Sequence, residues 1–341
     1  MNEYRLTRLR RLQGGFSIVE LMVAVTISMI LFAVIVQLFA SNKQAYRIQE
    51  GSSALNENAR YAVSHLEYFL RLADHWAGVE ASAVGVNAGV PSITGDCSDA
   101  VVSTVGFQGY NGGASKPLDC MPDTYEPNTD AFFIRYVASH RNGLEVDDFT
   151  VPVLGGVPEL GEQPSQSYIA DTYGTGLWVR TGIGHSAQIF QNTAFGSLPP
   201  ELNPSSVSEN EFINSRFNAM LYYIRTGPDG VPTLVRSALN PNMSFTEQEI
   251  VAGVENMQLL YGVDSNSDFV AERYETAPSD WSRVVSVRVS LIVSNLERDM
   301  TVTDTTTYRL LDTTWTPPAD ARNFRRAQFD FTVQIRNAIR G

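Results

Sequence analysis

The feature that most constrains this chain is an unbroken apolar run close to its amino terminus. Residues 16–40 read FSIVELMVAVTISMILFAVIVQLFA, and no side chain from Leu21 to Val36 is charged. At a rise of about 1.5 Å per residue, a helix of about 20 such residues crosses the roughly 30 Å hydrocarbon layer of a bilayer. The run therefore predicts a membrane-spanning helix over residues 16–40.

Charge is distributed unevenly on the two sides of this run. Residues 1–15 contain four arginines and one acid, and removing their net charge of +3 takes the formal charge of the chain from -12 to -15. A basic head, an apolar run and an acidic body are the charge order of a segment held in the cytoplasm while the remainder is exported. The acidic body has the wrong sign for neutralising phosphates, so no broad nucleic-acid binding is expected.

One acid lies inside the apolar run. Glu20 is the fifth residue counted from Phe16, and a carboxylate within a bilayer costs a few kcal/mol unless it finds a partner. If the chain is cut between Gly15 and Phe16, the new amino terminus of one copy offers a positive charge to Glu20 of a neighbouring copy. The spacing predicts a subunit-assembly contact, and the alternative is a carboxylate near the interface that takes up a proton or water.

The junction around Gly15 resembles that of a known family. The string QGGFSIVELMVAV is similar to the class III leader junction of type IV prepilins and pseudopilins, in which Gly, Phe, three residues and Glu open a long apolar helix. The resemblance implies cleavage after Gly15 by a membrane aspartyl prepilin peptidase and N-methylation of Phe16. It also implies a pilin-like lollipop, with the first half of the long helix in the membrane or the filament core.

The helical pattern continues beyond the apolar run. Residues 41–75 contain no proline, and apolar side chains recur at steps of three and four residues, at Leu55, Ala59, Ala62, Leu66, Phe69 and Ala73. This stripe predicts a helix face that packs on a globular head. The expected organisation is a cleaved leader over residues 1–15, a long helix over 16–77 and a β-rich periplasmic head over 78–341.

After residue 78 the helical periodicity gives way to short alternating segments separated by Gly, Pro, Ser and Thr. Strands are predicted over residues 131–137, 176–180, 217–225, 232–237, 254–263, 284–294 and 327–335. The turn TGPDG at residues 226–230 predicts a hairpin, because Pro228 presets one backbone dihedral and Gly230 permits a positive one. The expected fold class is therefore α+β, with a large head of antiparallel sheet.

Two stretches of the head, near 78–130 and 151–210, are loop-like and predict insertions on one domain. The first contains the only two cysteines, Cys97 and Cys120. In an exported protein such a pair predicts a disulfide that closes a loop and contributes about 3 kcal/mol. Two unpaired thiols are the alternative.

Segments 253–269, 281–295 and 324–337 resemble the C-terminal half of PilW-type minor pilins, which are similar to the J-type minor pseudopilin of type II secretion. The resemblance implies a structural subunit of a small priming complex that nucleates pilus polymerisation and carries a PilY-type adhesin at the tip. Implied partners are other minor pilins, the major pilin, the prepilin peptidase and the inner membrane. The implied location is the inner membrane of a Gram-negative bacterium and then the pilus, in support of adhesion and twitching motility.

An acidic segment, DSNSDFVAERYE, begins at Asp264. Oxygen-bearing side chains fall at positions one, three, five, nine and twelve of a calcium loop, with the Val270 carbonyl at seven. These candidate ligands are Asp264, Asn266, Asp268, Glu272 and Glu275. Position six is Phe269, where the sharp turn requires glycine, and a polar turn between strands accounts for the same residues without a metal. Calcium is a possible cofactor, and no other is expected.

Catalytic motifs are incomplete in this sequence. The four histidines form no HExxH pair, GIGHSA lacks the Gly-x-Ser-x-Gly elbow, and GTGLWV completes no phosphate-binding loop. An enzyme is therefore not expected. The rival functions are a minor pseudopilin of type II secretion and a membrane-anchored periplasmic enzyme, the second of which requires a deep polar pocket.

Overall fold

The structure is a computed structural model of the 341-residue chain. It describes residues 15, 17–87, 90, 97, 101–137, 176–182, 186–191, 202, 212–335 and 337. Phe16, nearly all of the predicted leader and most of the predicted insertion at 151–210 lie outside the described residues. The chain divides into two compact units, Met1–Ser53 and Ala54–Gly341, and each is described by itself.

One long helix, α1, spans Ile18–Leu72. In the first unit its apolar side chains from Ile18 to Phe39 are exposed. By length and composition this part of α1 is able to cross a membrane, and none of its most apolar stretch is buried within the protein. The predicted span therefore lies on a helix, with Glu20 in its first turn.

The second part of α1 buries the predicted apolar stripe. All six stripe residues are at most 9% exposed, and five of them from Ala59 to Ala73 lie in one core cluster with side chains of the sheets. Because a helix brings residues three and four apart onto one face, the local pattern was sufficient to identify this surface. The predicted packing face is confirmed.

The helix ends at Leu72, five residues before the predicted limit at residue 77. The backbone adopts a positive φ of 65° at Asp74 and of 52° at Ala77, a left-handed conformation that ends helices. The Nδ2 group of Asn337 donates to the carbonyl oxygens of residues 71–73 at 3.1–3.4 Å. Carbonyls that the last helical turn leaves unpaired are thus satisfied by the carboxyl-terminal segment.

In the part of the chain that the structure describes, the first sheet has eight strands: β1 (Val84–Val86), β2 (Phe107–Tyr110), β3 (Ala131–Val137), β4 (Leu177–Gly182), β5 (Ala187–Gln191), β6 (Phe212–Thr226), β7 (Pro232–Leu239) and β8 (Phe245–Ala252). Its order is β1-β5-β4-β6-β3-β2, with β7 between β6 and β8. All pairs are antiparallel except β1 with β5.

The β6–β7 connection is the predicted hairpin. Gly230 has a φ of 78°, and its N–H donates to the carbonyl oxygen of Gly227 at 2.9 Å. The strands pair from Thr226 opposite Pro232 onward. The hairpin predicted from the turn residues is therefore confirmed.

The second sheet contains β9 (Val254–Val263), β10 (Arg273–Glu275), β11 (Val284–Ser294) and, after a small hairpin of β12 (Tyr308–Leu310) and β13 (Thr313–Trp315), β14 (Arg326–Gln334). Its order is β10-β9-β11-β14, and every pair is antiparallel. One long apolar helix and a large β-rich head of antiparallel sheets confirm the α+β class.

Asp130 joins the two sheets at the edge of β9. Its N–H donates to the carbonyl oxygen of Met257 at 2.9 Å, and its carboxylate accepts the N–H of Leu259 at 2.8 Å. The other carboxylate oxygen accepts the N–H of Gly112 at 2.8 Å. Since β10 covers β9 only at Tyr261–Val263, Asp130 pairs backbone groups that would otherwise remain open.

Arg326 holds the segment between β11 and β14 against the second sheet. Its side chain is fully buried, with its guanidinium 2.7 Å from the carboxylate of Glu255 and 3.3 Å from that of Asp304. Both carboxylates belong to side chains that are only 9% exposed. The Arg326 guanidinium thus neutralises two buried carboxylates, and its removal would leave both negative charges without this cation.

Candidate functional site

The structure describes two of the three residues predicted at the amino-terminal junction. Gly15 is exposed, and nothing lies within 4 Å of the position that a Cβ atom would take there. Glu20 is exposed in the first turn of α1, and the described residues offer it no hydrogen bond or ion pair. Cleavage after Gly15, methylation of Phe16 and an assembly contact at Glu20 remain predictions.

Two other polar side chains of the apolar run form hydrogen bonds with carbonyl groups of their own helix. The Thr26 hydroxyl donates to the carbonyl oxygens of Met22 and Val23 at 3.0 and 2.9 Å, and the Ser28 hydroxyl donates to that of Ala24 at 2.7 Å. Such back-bonding allows hydroxyls to enter a hydrocarbon layer. Among the residues from Ile18 to Val36, Glu20 is therefore the side chain that needs a partner from outside the chain.

Cys97 and Cys120 form a disulfide across a sequence separation of 23 residues, with their Cα atoms 5.9 Å apart. Cys97 is 1% exposed and belongs to a second core cluster that includes Trp76 and Val101. The predicted pairing is confirmed. The bond closes a loop within the first insertion, and its Cys97 end lies in the core of the head.

The acidic loop brings together three of the five predicted calcium ligands. Carboxylate oxygens of Asp264, Asp268 and Glu272 lie within 4.8 Å of one another. Asn266 is adjacent, since its Nδ2 group donates to the Asp268 carboxylate at 3.1 Å. Glu275 is not part of this group, because it lies in β10 and its carboxylate pairs with Arg273.

The loop is organised around the Asp264 carboxylate, which accepts the N–H groups of Asn266, Ser267 and Phe269 at 2.6–3.0 Å. Burial raises the pKa of Asp264, but these backbone hydrogen bonds outweigh it and hold the pKa below its usual range. Phe269 adopts a φ of 66°, the left-handed conformation for which glycine was expected. The missing glycine therefore does not prevent the turn, and calcium binding stays a prediction.

Sequence reasoning missed two side chains near the end of α1. Asp74 lines a cleft in the head, and Asn337 caps the helix. The available signal for Asp74 was a charged residue directly after a helical pattern. No local signal existed for Asn337, because its partners are more than 260 residues away.

Comparison with known families gives a match at each end of the chain. Residues 221–337 match the family described as Type IV Pilus-assembly protein W, and this region runs from within β6 through β14. Residues 10–36 match the Prokaryotic N-terminal methylation motif, which includes Gly15, Phe16 and Glu20. No curated protein and no solved structure matches the chain.

These regions agree with the leader and the apolar helix in supporting membrane anchoring, and they point to a structural protein rather than to a known enzyme. They also support a minor, type IV pilin-like role. Together, the two matches make the chain similar to a PilW-type prepilin over residues 10–36 and 221–337.

Proposed function

We propose that this chain is a minor pilin that helps to initiate type IV pilus assembly, as part of a priming complex of minor pilins that stays at the pilus tip. The observation that carries the proposal is Glu20, an acid in the first turn of an apolar helix without a partner among the described residues. In an assembled bundle, the freed amino group of Phe16 in a neighbouring subunit neutralises it.

The energetics favour this arrangement over an isolated subunit. An unpaired carboxylate in the membrane costs a few kcal/mol, and pairing it with a cation in an adjacent helix recovers part of that cost. The Thr26 and Ser28 hydroxyls bond to carbonyl groups of their own helix. In the run of residues 18–36, Glu20 is therefore the side chain that favours association with a neighbouring helix. The acid therefore sets which helices join and at what axial register.

The head supplies the remaining contacts in this proposal. Its partners are other minor pilins, the major pilin and a PilY-type adhesin carried at the tip, and the prepilin peptidase acts on it before assembly. The head faces the periplasm while the helix lies in the inner membrane, and the subunit then enters a pilus on the surface of a Gram-negative cell. Adhesion and twitching motility follow from the pilus that it helps to start.

Deletion of the gene, followed by counting surface pili by electron microscopy, tests the priming role. Pili should be lost or scarce, and the wild-type gene should restore them. Glu20→Gln removes only the charge and should fail to restore pili, whereas Glu50→Gln, at another exposed glutamate of the same helix, should restore them. Normal piliation in the deletion strain contradicts the proposal. Immunoblots should show that the Glu20→Gln and Glu50→Gln proteins are present at equal levels, so that their piliation is comparable.

Mass spectrometry of the mature protein tests processing independently. The expected product begins at Phe16 with a methylated amino group. A chain that retains its basic leader would rule out the pairing of Glu20 with a neighbouring amine.

A minor pseudopilin of type II secretion is the second candidate, because its leader junction has the same pattern of residues around Gly15. The two functions separate in the same deletion strain. Loss of an exported enzyme from the medium with unchanged pili supports secretion, and loss of pili with unchanged secretion supports the pilus.

A further inference from the structure

A cleft of about 230 Å³ opens in the unit Ala54–Gly341, beside the segment that follows α1. Its walls include Asp74, Ser82, Val105, Phe107, Trp281 and Ile335. Sites for whole small-molecule ligands usually enclose about 300–1,000 Å³. The cleft is therefore of a size for a single side chain or a fragment.

Asp74 gives this cleft its chemical character. One carboxylate oxygen, Oδ1, accepts the indole N–H of Trp76 at 2.9 Å and the backbone N–H of Gly106 at 3.1 Å. The described residues provide no donor to the other oxygen. Burial raises the pKa of this carboxyl group to about 6, although the two hydrogen bonds oppose the change. The side chain is thus fixed by one oxygen, and the other is available to a ligand.

Two aromatic rings also line the cleft. The Phe107 and Trp281 rings lie 6.1 Å apart between centroids, and Trp281 packs edge-on against Tyr261 at 4.8 Å. No lysine, arginine or histidine is among the described residues that line the cleft. A carboxylate and aromatic rings that line one cleft form the combination that recognises a cation, through a charged hydrogen bond and a cation–π contact.

We propose that this cleft binds an arginine side chain of a partner protein, with Asp74 as the ion-pair partner and Phe107 and Trp281 as its aromatic walls. Guanidinium is planar, stacks on aromatic rings and is more weakly hydrated than an ammonium group, so arginine suits the cleft better than lysine. The formal charge of -15 on the chain after residue 15 also favours a basic partner.

The probe is n-butylguanidinium, titrated into the full mature chain in detergent. Labelling with 5-fluorotryptophan gives four ¹⁹F signals, one for each tryptophan. The Trp281 signal is assigned by loss in Trp281→Phe, and the fully buried Trp178 serves as an internal reference. We expect a saturable shift of the Trp281 signal with a dissociation constant of about 1 mM. The neutral n-butylurea, of the same shape, should produce no shift.

Two variants separate binding from folding. Asp74→Asn keeps the oxygen that bonds to Trp76 and Gly106 and removes the charge, so binding should weaken by about tenfold or more. Asp320→Asn, at an exposed acid elsewhere on the head, should bind as the wild type does. If Asp74→Asn fails to fold, Ser82→Phe still tests the site, because it fills the cleft from an exposed position and should abolish binding.

Equal shifts with both probes, no shift with either, or unchanged binding by Asp74→Asn overturns the proposal. The proposal depends on the proposed function only for the identity of the partner. Probe binding is measured on the isolated protein and piliation on cells, so the failure of one is distinguishable from the failure of the other.

Discussion

His65 should make the packing of α1 on the head sensitive to acid. It lies on the helix between stripe residues, with Nε2 3.1 Å from the Tyr222 hydroxyl and its ring 4.7 Å from that of Phe69. Burial, and to a lesser extent the nearby positive charge of Arg236, lower the pKa of His65 to about 4. The folded state therefore favours the neutral imidazole.

The sign and size of the effect follow from linkage. The unfolded chain takes up a proton near the usual pKa of 6.5, whereas the folded chain does not until the pH approaches 4. Stability is therefore lost as the pH falls through this window, by about 3 kcal/mol at pH 4. In His65→Gln, a neutral side chain that can still bond to Tyr222, this loss should be absent.

Urea unfolding of residues 54–341, followed by circular dichroism at several pH values, measures the difference between wild type and His65→Gln. Asp74 and Asp130 also titrate in this range, because burial raises the pKa of each to about 6. The stabilising contribution of each of these two carboxyl groups is lost as the pH rises from about 4 to 6. These contributions are the same in wild type and His65→Gln, so they cancel when the two proteins are compared. Parallel stability curves for wild type and His65→Gln would refute the reasoning.

Three further results are expected. Replacing Cys97 and Cys120 by serine should lower the free energy of unfolding by about 3 kcal/mol, and reduction of the wild type should do the same. Arg326→Met should lower the free energy of unfolding by about 3–5 kcal/mol, because it leaves two buried carboxylates unpaired. Arg273→Met, at a side chain that is 55% exposed, should lower it by less than about 1 kcal/mol. Equal losses in the two variants would contradict the role of burial. Titration calorimetry with calcium at about 1 mM should show a heat of binding for the wild type and none for Asp264→Asn. If the wild type shows no heat of binding, the hypothesis of a calcium site is wrong.

The parts of the fold that were predictable depend on neighbours in sequence. Periodicity located the helix stripe, alternating apolar residues gave the limits of β9 and β11, and two turn residues gave the β6–β7 hairpin. Each of these signals is contained in a window of about a dozen residues. β8 was missed because its sequence, FTEQEIVA, forms an edge strand in which a single side chain is fully buried, so it lacks a clear apolar face.

The candidate sites also differ in whether a local sequence pattern is sufficient to identify them. The disulfide was predictable because a cysteine count in an exported chain needs no tertiary information, whereas the assembly contact of Glu20, taken from a junction motif, stays a prediction. Glu275 matched the spacing of a calcium loop, but strand β10 carries it away from the acidic group to pair with Arg273. Asp74 becomes a cleft residue only because Gly106, Trp281 and other distant segments fold around it. Contacts of this kind are absent from any local pattern.

The amide of Asn337 has a consequence for the order in which the protein is completed. A chain delivered amino end first exposes the final turn of α1 while some 260 residues are still to come. Closing so distant a contact is slow, since the entropy of a very large loop must be lost before the bond forms. The base of the helix therefore reaches its finished state only after the segment that follows β14 is in place, and a chain cut short before Asn337 would leave those carbonyl groups without this donor.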